Sequence, residues 1–416
     1  MKGLFARYVQ RLTCLALASG TLSLAIAAQP VAEVRVDFTS QAITGTYVRG
    51  LAHQGTQRPI RAEDPVRIAS ISKLVMTLGL MRLVEQGTLD LDRDVSAYLG
   101  WPLRHPNYPE IPVSLKLLLS HQSGLTDEAG YVADTQTRIR DQVERRDAWD
   151  PAHPPGTYFR YTNLNFPVIA SIMERVTGER FDRLMQRLVF APLDIDACFN
   201  WTTCSDRAVA RAVTIYRSNG EVGVDDWPGN RSPCPVLVAP GDDCSLTQWR
   251  AGENGGLFSP QGGLRISARD LAKIGQLLLN QGSWKGVTLL HPSSVATIFE
   301  PQWVFDGANG LTYESDLGDN VGAFFCRYGL ASQSLSTSDP RCADDPIGDG
   351  RSWVGHGGDA YGLVSGLWLD REKGLGIAYF ITGGDLTELG QQSAFYAVEE
   401  RLLARPLNGA DRDAQR

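Results

Sequence analysis

Apolar, strand-forming stretches occur near both ends of the chain. Residues 33–60 contain "VRVDF" and "ITGTYVRG", which are typical of β-strands. Residues 361–382 contain two apolar, aromatic runs around the polar turn Asp-Arg-Glu-Lys-Gly, and this pattern predicts a hairpin. We therefore expect a sheet that is assembled from the two ends of the chain.

Helical spacing of apolar residues dominates between these regions. The pattern predicts three helices: residues 74–83 with a stop at Gly87, residues 165–177, and residues 267–282 with a cap at Ser267. A fourth helix is predicted near the C-terminus, where Asp385 and Glu388 resemble a capping box and an amphipathic pattern continues to about Leu403.

The predicted fold class is α/β: an antiparallel sheet from both chain termini, flanked by helices, with an inserted, mostly helical lobe. We place the α/β part at about residues 28–95 and 256–405, and the lobe at about residues 96–255. Two segments, residues 205–255 and 303–352, are polar and rich in Gly, Pro and Asp, so they are predicted to be long loops.

The two ends of the chain are predicted to lie outside this fold. Three basic residues precede an apolar run over residues 12–27 that ends in Ala-Ile-Ala, as in a secretory signal peptide. Cleavage after Ala27 would leave 389 residues (416 − 27) of an exported protein, periplasmic or secreted. Residues 406–416 are predicted to form a flexible tail.

Charge and composition argue against several kinds of partner. The formal net charge is −7, and loss of the three N-terminal bases would make it −10. The chain has only six lysines and its arginines are scattered, so we expect no binding to nucleic acid or to an anionic membrane surface. After the N-terminal run, no apolar stretch approaches the ~18 residues of a membrane span. The expected partner is a small-molecule or peptide substrate.

Six cysteines lie beyond the predicted signal peptide and form three near-neighbour pairs: Cys198 and Cys204, Cys234 and Cys244, and Cys326 and Cys342. Six cysteines allow 15 disulfide connectivities, and sequence alone does not choose among them. A zinc site is the alternative, but no Cys-x-x-Cys occurs and the histidines are distant in sequence. We therefore favour disulfides. Each would stabilise the folded protein by roughly 2–3 kcal/mol if it closes a short loop.

The segment "RIASISKL" places Ser70 and Lys73 on one face at the start of the first predicted helix. A serine hydroxyl is a weak nucleophile until a base takes its proton, and the Lys73 amine could reach it. Ser72 lies off that face and is predicted to be structural. Because so short a motif also arises by chance, it carries weight only together with other residues.

Two further segments could complete such a site. "PGTYFRYTNLNF" contains Tyr161, a phenol that could move protons, and Asn163, an amide that could orient a substrate or Lys73. "GHGGDAYG" surrounds His356 with glycines, so a strand edge there could present N–H groups to an oxyanion. Taken singly, Tyr161 could be an ordinary surface residue and His356 an ordinary packed one.

Other chemistries find little support in the sequence. It contains no His-x-His or His-Glu-x-x-His metal pair and no Gly-x-Ser-x-Gly elbow. It also lacks a phosphate-binding Gly-x-x-x-x-Gly-Lys loop. We therefore expect neither a metal nor another cofactor.

In order and context, these motifs resemble the serine β-lactamase-related family, which includes class C β-lactamases, DD-peptidases, D-aminopeptidases and family VIII carboxylesterases. "LLLSHQSGL" (residues 117–125) and "GGLRISARDLAKIGQLLLNQG" (residues 262–282) are also similar to family segments. The resemblance covers residues ~60 to ~400. It implies an α/β sandwich plus an all-helical lobe, with the site between them.

The resemblance also implies roles for individual residues. Ser70 would be the acylated nucleophile, Lys73 its partner, Tyr161 the proton carrier, and Asn163 a ligand of the substrate or of the lysine. We therefore expect an exported serine hydrolase that cleaves an ester or amide bond, with D-amino-acid peptides among the candidate substrates. The alternatives are a β-lactamase of class C type and a catalytically silent homologue that binds cell-wall peptides or a protein.

By the same resemblance, the backbone N–H groups of Ser70 and Asp359 would form the oxyanion hole. Many β-lactamases of this kind have Lys-Thr-Gly where this chain has His356, Gly357 and Gly358. We expect His356 and Gly358 to bind substrate, together with Asn163 and Asp359. A histidine is mostly neutral at pH 7, so a contact between His356 and a substrate carboxylate would require imidazolium. The His-x-Gly variant resembles peptidase, aminopeptidase and esterase members.

Overall fold

A computed structural model describes residues 29–232, 234, 236, 244–313 and 322–406. The predicted signal peptide, and the predicted tail beyond residue 406, lie outside the described residues. Within the described part of the chain, no helix is both long enough and apolar enough to cross a membrane.

The described residues form 20 β-strands, many of them short, and ten α-helices. The strands are β1 (Ala32–Thr39), β2 (Ile43–His53), β3 (Arg58–Pro59), β4 (Val66–Arg67), β5 (Arg104–His105), β6 (Tyr108–Pro112), β7 (Phe159–Arg160), β8 (Cys198–Phe199), β9 (Ile215–Tyr216), β10 (Val222–Val224), β11 (Leu264–Ile266), β12 (Ser283–Trp284), β13 (Val287–Thr288), β14 (Trp303–Val304), β15 (Gly310–Leu311), β16 (Arg327–Tyr328), β17 (Gln333–Leu335), β18 (Trp353–Ala360), β19 (Leu363–Asp370) and β20 (Leu375–Thr382). The α-helices are α1 (Ile71–Glu85), α2 (Ser96–Leu99), α3 (Leu115–Leu119), α4 (Ile139–Val143), α5 (Asn165–Thr177), α6 (Phe181–Met185), α7 (Asp206–Val209), α8 (Ala268–Leu279), α9 (Pro292–Phe299) and α10 (Ala397–Leu403).

Nine strands form the central antiparallel sheet, in the order β14-β16-β17-β18-β19-β20-β1-β2-β3. β1 lies between β20 and β2 and pairs with both in antiparallel register. N-terminal strands thus join the C-terminal hairpin of β19 and β20. The predicted sheet from both ends of the chain is confirmed.

Side chains alternate across this sheet because successive residues of a strand face opposite sides. In β1, Val34 and Val36 belong to the main core, to which α1 and α8 also contribute. Arg35 points to the other side, where its guanidinium donates to the carbonyls of Leu402 and Leu403 at the end of α10 (2.8 and 3.0 Å). The cation thereby satisfies carbonyl groups that the last turn of a helix leaves without partners. Helices therefore cover both faces of the sheet.

Three of the predicted helices are confirmed as α1, α5 and α8, and α8 begins at the predicted Ser267 cap. The predicted start of the fourth helix is wrong. Asp385 accepts from the N–H and hydroxyl of Thr387 in a turn, and α10 begins only at Ala397. Residues 303–352 are also not simply a loop, since they supply β14, β16 and β17 to the sheet.

The six cysteines form disulfides, as the sequence favoured, and each pairs with its near neighbour: Cys198–Cys204, Cys234–Cys244 and Cys326–Cys342. The third closes a segment that includes β16 and β17, next to the strand that carries His356. The boundaries of the helical lobe, residues 96–255, stay a prediction.

Candidate active site

Ser70 lies at the start of α1, directly after a strained turn. Ala69 has a φ of 49°, in the left-handed region that alanine rarely adopts. Ser70 stays partly exposed, whereas Ser72 is fully buried. The Ser72 hydroxyl donates to the Ala69 carbonyl (2.6 Å) and accepts from the N–H of Leu264 (3.0 Å). The two serines therefore differ as the sequence predicted, with Ser72 serving the structure.

The Lys73 amine contacts the Ser70 hydroxyl directly. Its side chain is fully buried, and Nζ lies 2.8 Å from Ser70 Oγ. Nζ also lies 2.8 Å from Asn163 Oδ1 and 2.9 Å from the carbonyl oxygen of Gln261. These last two oxygens can only accept. A neutral amine would donate one N–H to each and direct its lone pair at the Ser70 hydroxyl, which is the geometry of a general base.

Asp127 fixes the orientation of Asn163. Its carboxylate accepts from Asn163 Nδ2 (2.9 Å), from the Asn163 N–H (3.0 Å) and from the N–H of Leu164 (2.9 Å). Because a carboxylate only accepts, the amide NH₂ must face Asp127 and Oδ1 must face Lys73. Sequence reasoning missed Asp127, since no local spacing connects it with the Tyr-Thr-Asn segment.

The Tyr161 ring is packed between two other rings beside Lys73. Its centroid lies 4.4 Å from that of His121 and 5.1 Å from that of Phe325, with both pairs stacked. Lys73 Nζ lies 4.8 Å from the Tyr161 centroid. His121 Nδ1 accepts the N–H of Thr162 (2.9 Å), which ties this loop to the "SHQSG" segment. The structure thus brings the predicted proton carrier and the predicted base together.

Gly358 and Asp359 lie on β18 next to the start of α1. β17 pairs with β18 only over Trp353–Gly355, whereas β19 pairs along β18 as far as Ala360. A Cβ atom added to Gly358 would lie 2.5 Å from the Ile68 carbonyl oxygen and 3.0 Å from the Ser70 nitrogen. Only glycine allows this approach, which sets the predicted oxyanion donors on adjacent backbone segments.

His356 is a neutral, buried residue. The Tyr328 hydroxyl donates to its Nε2 (2.8 Å), and its Nδ1 donates to the Gly357 carbonyl (2.5 Å). Burial, reinforced by the charge of Lys73, lowers the pKa of His356 to about 3. The hypothesis that an imidazolium at position 356 binds a substrate carboxylate is therefore not supported, because the ring lacks the charge and both nitrogens are engaged.

Ser70 lies where two clefts meet. The first, which we call the aromatic cleft, has a volume of about 360 Å³ and is lined by residues that include Tyr313, Phe324, Phe325, Phe395, Tyr396 and Asp359. The second, which we call the arginine cleft, has a volume of about 580 Å³ and is lined by residues that include Arg67, Asn163, Asp225, Trp227, Arg265 and Tyr361. A substrate with its reacting carbonyl at Ser70 could extend into both clefts.

Glu399 lies in the wall of the aromatic cleft as a carboxylic acid. Burial raises its pKa from 4.5 to about 8, although the Tyr379 hydroxyl at 2.7 Å opposes this shift, and the Asp359 charge adds to it. The folded protein therefore holds a proton here between pH 4.5 and 8 that the unfolded chain releases. The resulting stability is fully present below about pH 4.5 and is lost as the pH rises through 8.

We expect Glu399→Gln to make stability less sensitive to alkaline pH, because the amide resembles the acid and cannot ionise. The melting temperature of the variant minus that of the wild type should rise between pH 5 and pH 9. Glu388→Gln, at an exposed position, is the matched control and should show no such trend. A Glu399→Gln difference that stays constant over this range would contradict the raised pKa.

Known proteins similar to this chain identify its family. A profile of the Beta-lactamase family matches residues 26–400. A lovastatin esterase from Penicillium rubens is 27% identical over 298 residues, which are 65% of this chain and 67% of the esterase. Esterase EstB from Burkholderia gladioli is 32% identical over 166 residues, 36% of this chain and 42% of that relative. The second match thus spans less than half of the relative.

Solved structures share the fold. The D-amino acid amidase from Ochrobactrum anthropi SV3 superposes with a TM-score of 0.61 at 18% identity, over 90% of this chain and 93% of the amidase. The family profile covers nearly the whole described chain, including both clefts and the residues around Ser70. The chain belongs to the Beta-lactamase family of serine hydrolases.

Proposed function

We propose that this protein cleaves an ester or amide bond through an acyl-enzyme on Ser70. The observation that carries the proposal is the 2.8 Å contact between Lys73 Nζ and Ser70 Oγ, with the lysine fully buried. Burying an amine costs free energy unless its partners compensate. A protein that only binds ligands would not need this amine against a partly exposed hydroxyl.

In the proposed acylation, Ser70 Oγ bonds to the substrate carbonyl carbon while its proton passes to Lys73 Nζ. The electron pair of the carbonyl bond moves onto its oxygen, which accepts from the N–H groups of Ser70 and Asp359. When this intermediate collapses, the bond to the leaving alcohol or amine breaks. Tyr161 gives the leaving group its proton, and Lys73 replaces that proton.

Deacylation reverses these roles. Water bonds to the acyl carbon and gives a proton to the pair formed by Lys73 and Tyr161. The bond between Ser70 Oγ and the acyl carbon then breaks, Oγ recovers a proton, and the carboxylic acid leaves. One water molecule is thereby added across the ester or amide.

We propose esters as the preferred substrates. The two sequence relatives described above are named as esterases. The neutral His356 also does not offer the fixed ammonium that the Lys-Thr-Gly motif would provide. The same machinery would accept D-amino-acid peptides or amides, with the leaving amine in place of an alcohol.

A substrate panel tests this proposal: p-nitrophenyl esters, D-Ala-D-Ala peptides, D-amino-acid amides and a chromogenic cephalosporin. We expect the esters to react fastest. Faster turnover of the cephalosporin than of every ester would instead identify a β-lactamase. No reaction with any substrate or with a fluorophosphonate probe would identify a silent binding homologue.

We also propose that the protein is exported after loss of residues 1–27. Three disulfides support folding in an oxidising compartment. Intact-mass analysis of exported protein should give a chain that begins near residue 28 and has no free thiols. Six free thiols would contradict this proposal.

A further inference from the structure

We propose that Arg67 binds a carboxylate on the part of the substrate that occupies the arginine cleft. Arg67 ends β4, three residues before Ser70, and both residues line this cleft. The inference rests on the proposed function of Ser70, because it concerns the part of the substrate beyond the reacting carbonyl. A contact between Arg67 and a substrate carboxylate gives the enzyme a preference for esters or amides that carry a negative charge.

The Arg67 guanidinium is held in a fixed position. Its Nε donates to the carbonyl of Gly262 (2.8 Å), and its Cζ lies 4.7 Å from the centroid of the Tyr361 ring. The backbone is fixed as well, because Arg67 pairs with Arg265 in β11. These contacts use one N–H group and one face of the guanidinium. The two terminal NH₂ groups keep the parallel geometry that binds a carboxylate through two hydrogen bonds.

Among the described residues, no acidic side chain forms an ion pair with Arg67. The nearby Asp225 is engaged by Arg265, which contacts it at 2.8 and 3.1 Å. Asp359 accepts from the Tyr396 hydroxyl (3.0 Å). Burial, together with the Arg265 charge, lowers the pKa of Arg67 only to about 10, so the guanidinium stays charged at neutral pH. Asp225 therefore attracts Arg67 only from a distance, and the terminal NH₂ groups of Arg67 face the cleft without a contacting carboxylate among the described residues, so a substrate carboxylate could bind there.

Tyr361 supports Arg67 from a strained backbone position. Tyr361 and Gly362 form the two-residue turn between β18 and β19, with φ values of 62° and 94°. Turns with two positive φ values favour Asn or Gly at the first position, and an aromatic side chain is strained there. Tyr361 is 40% exposed as a residue, so burial does not explain its presence. Its contact with Arg67 does, since strain held beside a cleft is a feature of functional sites.

The test compares two ligands that differ by one charge: glutaric acid mono-p-nitrophenyl ester and its methyl ester. Dissociation constants are measured by calorimetry on the Ser70→Ala variant, so that both ligands stay intact. We expect the anionic ligand to bind at least tenfold more tightly. The added change Arg67→Gln should bring the ratio of the two constants close to one, and Arg67→Lys should retain part of it. An unchanged ratio with Arg67→Gln would overturn the inference.

Tyr361→Asn gives a second test that does not depend on the folding of the arginine variants. Asparagine suits the positive φ, so the melting temperature should be maintained or raised, while the preference for the anionic ligand should fall several-fold. Retention of the full preference would contradict the supporting role of Tyr361. Arg217→Gln, at an exposed arginine, is the matched control and should leave the ratio unchanged. An equal loss with Arg217→Gln would show that the preference reflects overall charge, and would also overturn the inference.

Turnover of the neutral ester by the unaltered enzyme is measured separately, which distinguishes failure of this inference from failure of the proposed function. Ester hydrolysis without an anion preference that depends on Arg67 would overturn the inference alone. An anion preference that depends on Arg67, without hydrolysis of any substrate in the panel, would overturn the proposed function and leave Arg67 as part of a binding site.

Discussion

Replacing Ser70 with alanine is expected to lower ester turnover by about 10,000-fold or more and to abolish labelling by a fluorophosphonate probe. The Ser70 oxygen is the atom to which the acyl group would bond, so no acyl-enzyme can form without it. The fold should persist, because the side chain of this N-cap residue makes no capping hydrogen bond in α1. Turnover, probe labelling and the melting temperature should be measured on the same preparation.

Ser72→Ala is the matched control, with the opposite expected result. The Ser72 hydroxyl is buried and bonds to the Ala69 carbonyl and the Leu264 N–H; the N–H would lose its partner, whereas the carbonyl would still accept from the Ser72 N–H. Stability should therefore fall by about 1–3 kcal/mol, while most activity and labelling remain at temperatures where the variant is folded. Loss of turnover with Ser72→Ala but not with Ser70→Ala would show that the nucleophile is assigned to the wrong serine.

The features that sequence analysis predicted well are local ones. Ser70 and Lys73 are one helical turn apart, so the helix itself brings the amine to the hydroxyl. The hairpin of β19 and β20 follows from two apolar runs around a short polar turn. The cysteines of each pair are separated by only 6, 10 and 16 positions, so the entropic cost of bringing them together is small and does not depend on distant parts of the chain.

Features that depend on distant partners were beyond sequence analysis. β16 and β17 have only two and three residues, too few for a periodic pattern, and they are strands because β18 offers an edge to pair with. The polar pair at Asp385 and Glu388 looked like a helix start. Asp385 bonds locally to Thr387 instead. The helix α10 begins only at Ala397, in the segment whose apolar side chains pack against the sheet.

The same division applies to the site. Asp127 orients Asn163, and the Gln261 carbonyl accepts from Lys73, but these contacts join residues that are 36 and 188 positions apart. Nothing in the local sequence around Asp127 or Gln261 marks such a partner. His356 shows the converse limit: the motif marked the residue, but neither its burial nor its hydrogen bond from Tyr328, which keep the ring neutral well below pH 6, could be read from the sequence.

Replacing Lys73 with methionine is expected to slow acylation by about 1,000-fold. Methionine has a similar length and suits the apolar surroundings, which include the Phe166 ring at 5.3 Å from Nζ. The Ser70 hydroxyl would lose its proton acceptor, and the Asn163 side-chain oxygen and the buried Gln261 carbonyl would each lose a donor. The rate of p-nitrophenol release under single-turnover conditions measures acylation directly. Lys273→Met, the same change on α8, is the matched control and should keep the wild-type rate.

Lys73→Arg separates a base from a fixed charge. Arginine keeps the positive charge and the donors that Asn163 and Gln261 require, but it cannot lose a proton near neutral pH. If Lys73 is the base that activates Ser70, the arginine variant should acylate as slowly as the methionine variant, although its melting temperature lies closer to that of the wild type. Acylation near the wild-type rate would contradict the base role. Because arginine can still satisfy both carbonyl oxygens, such a result could only mean that the charge at position 73 is sufficient for reaction at Ser70.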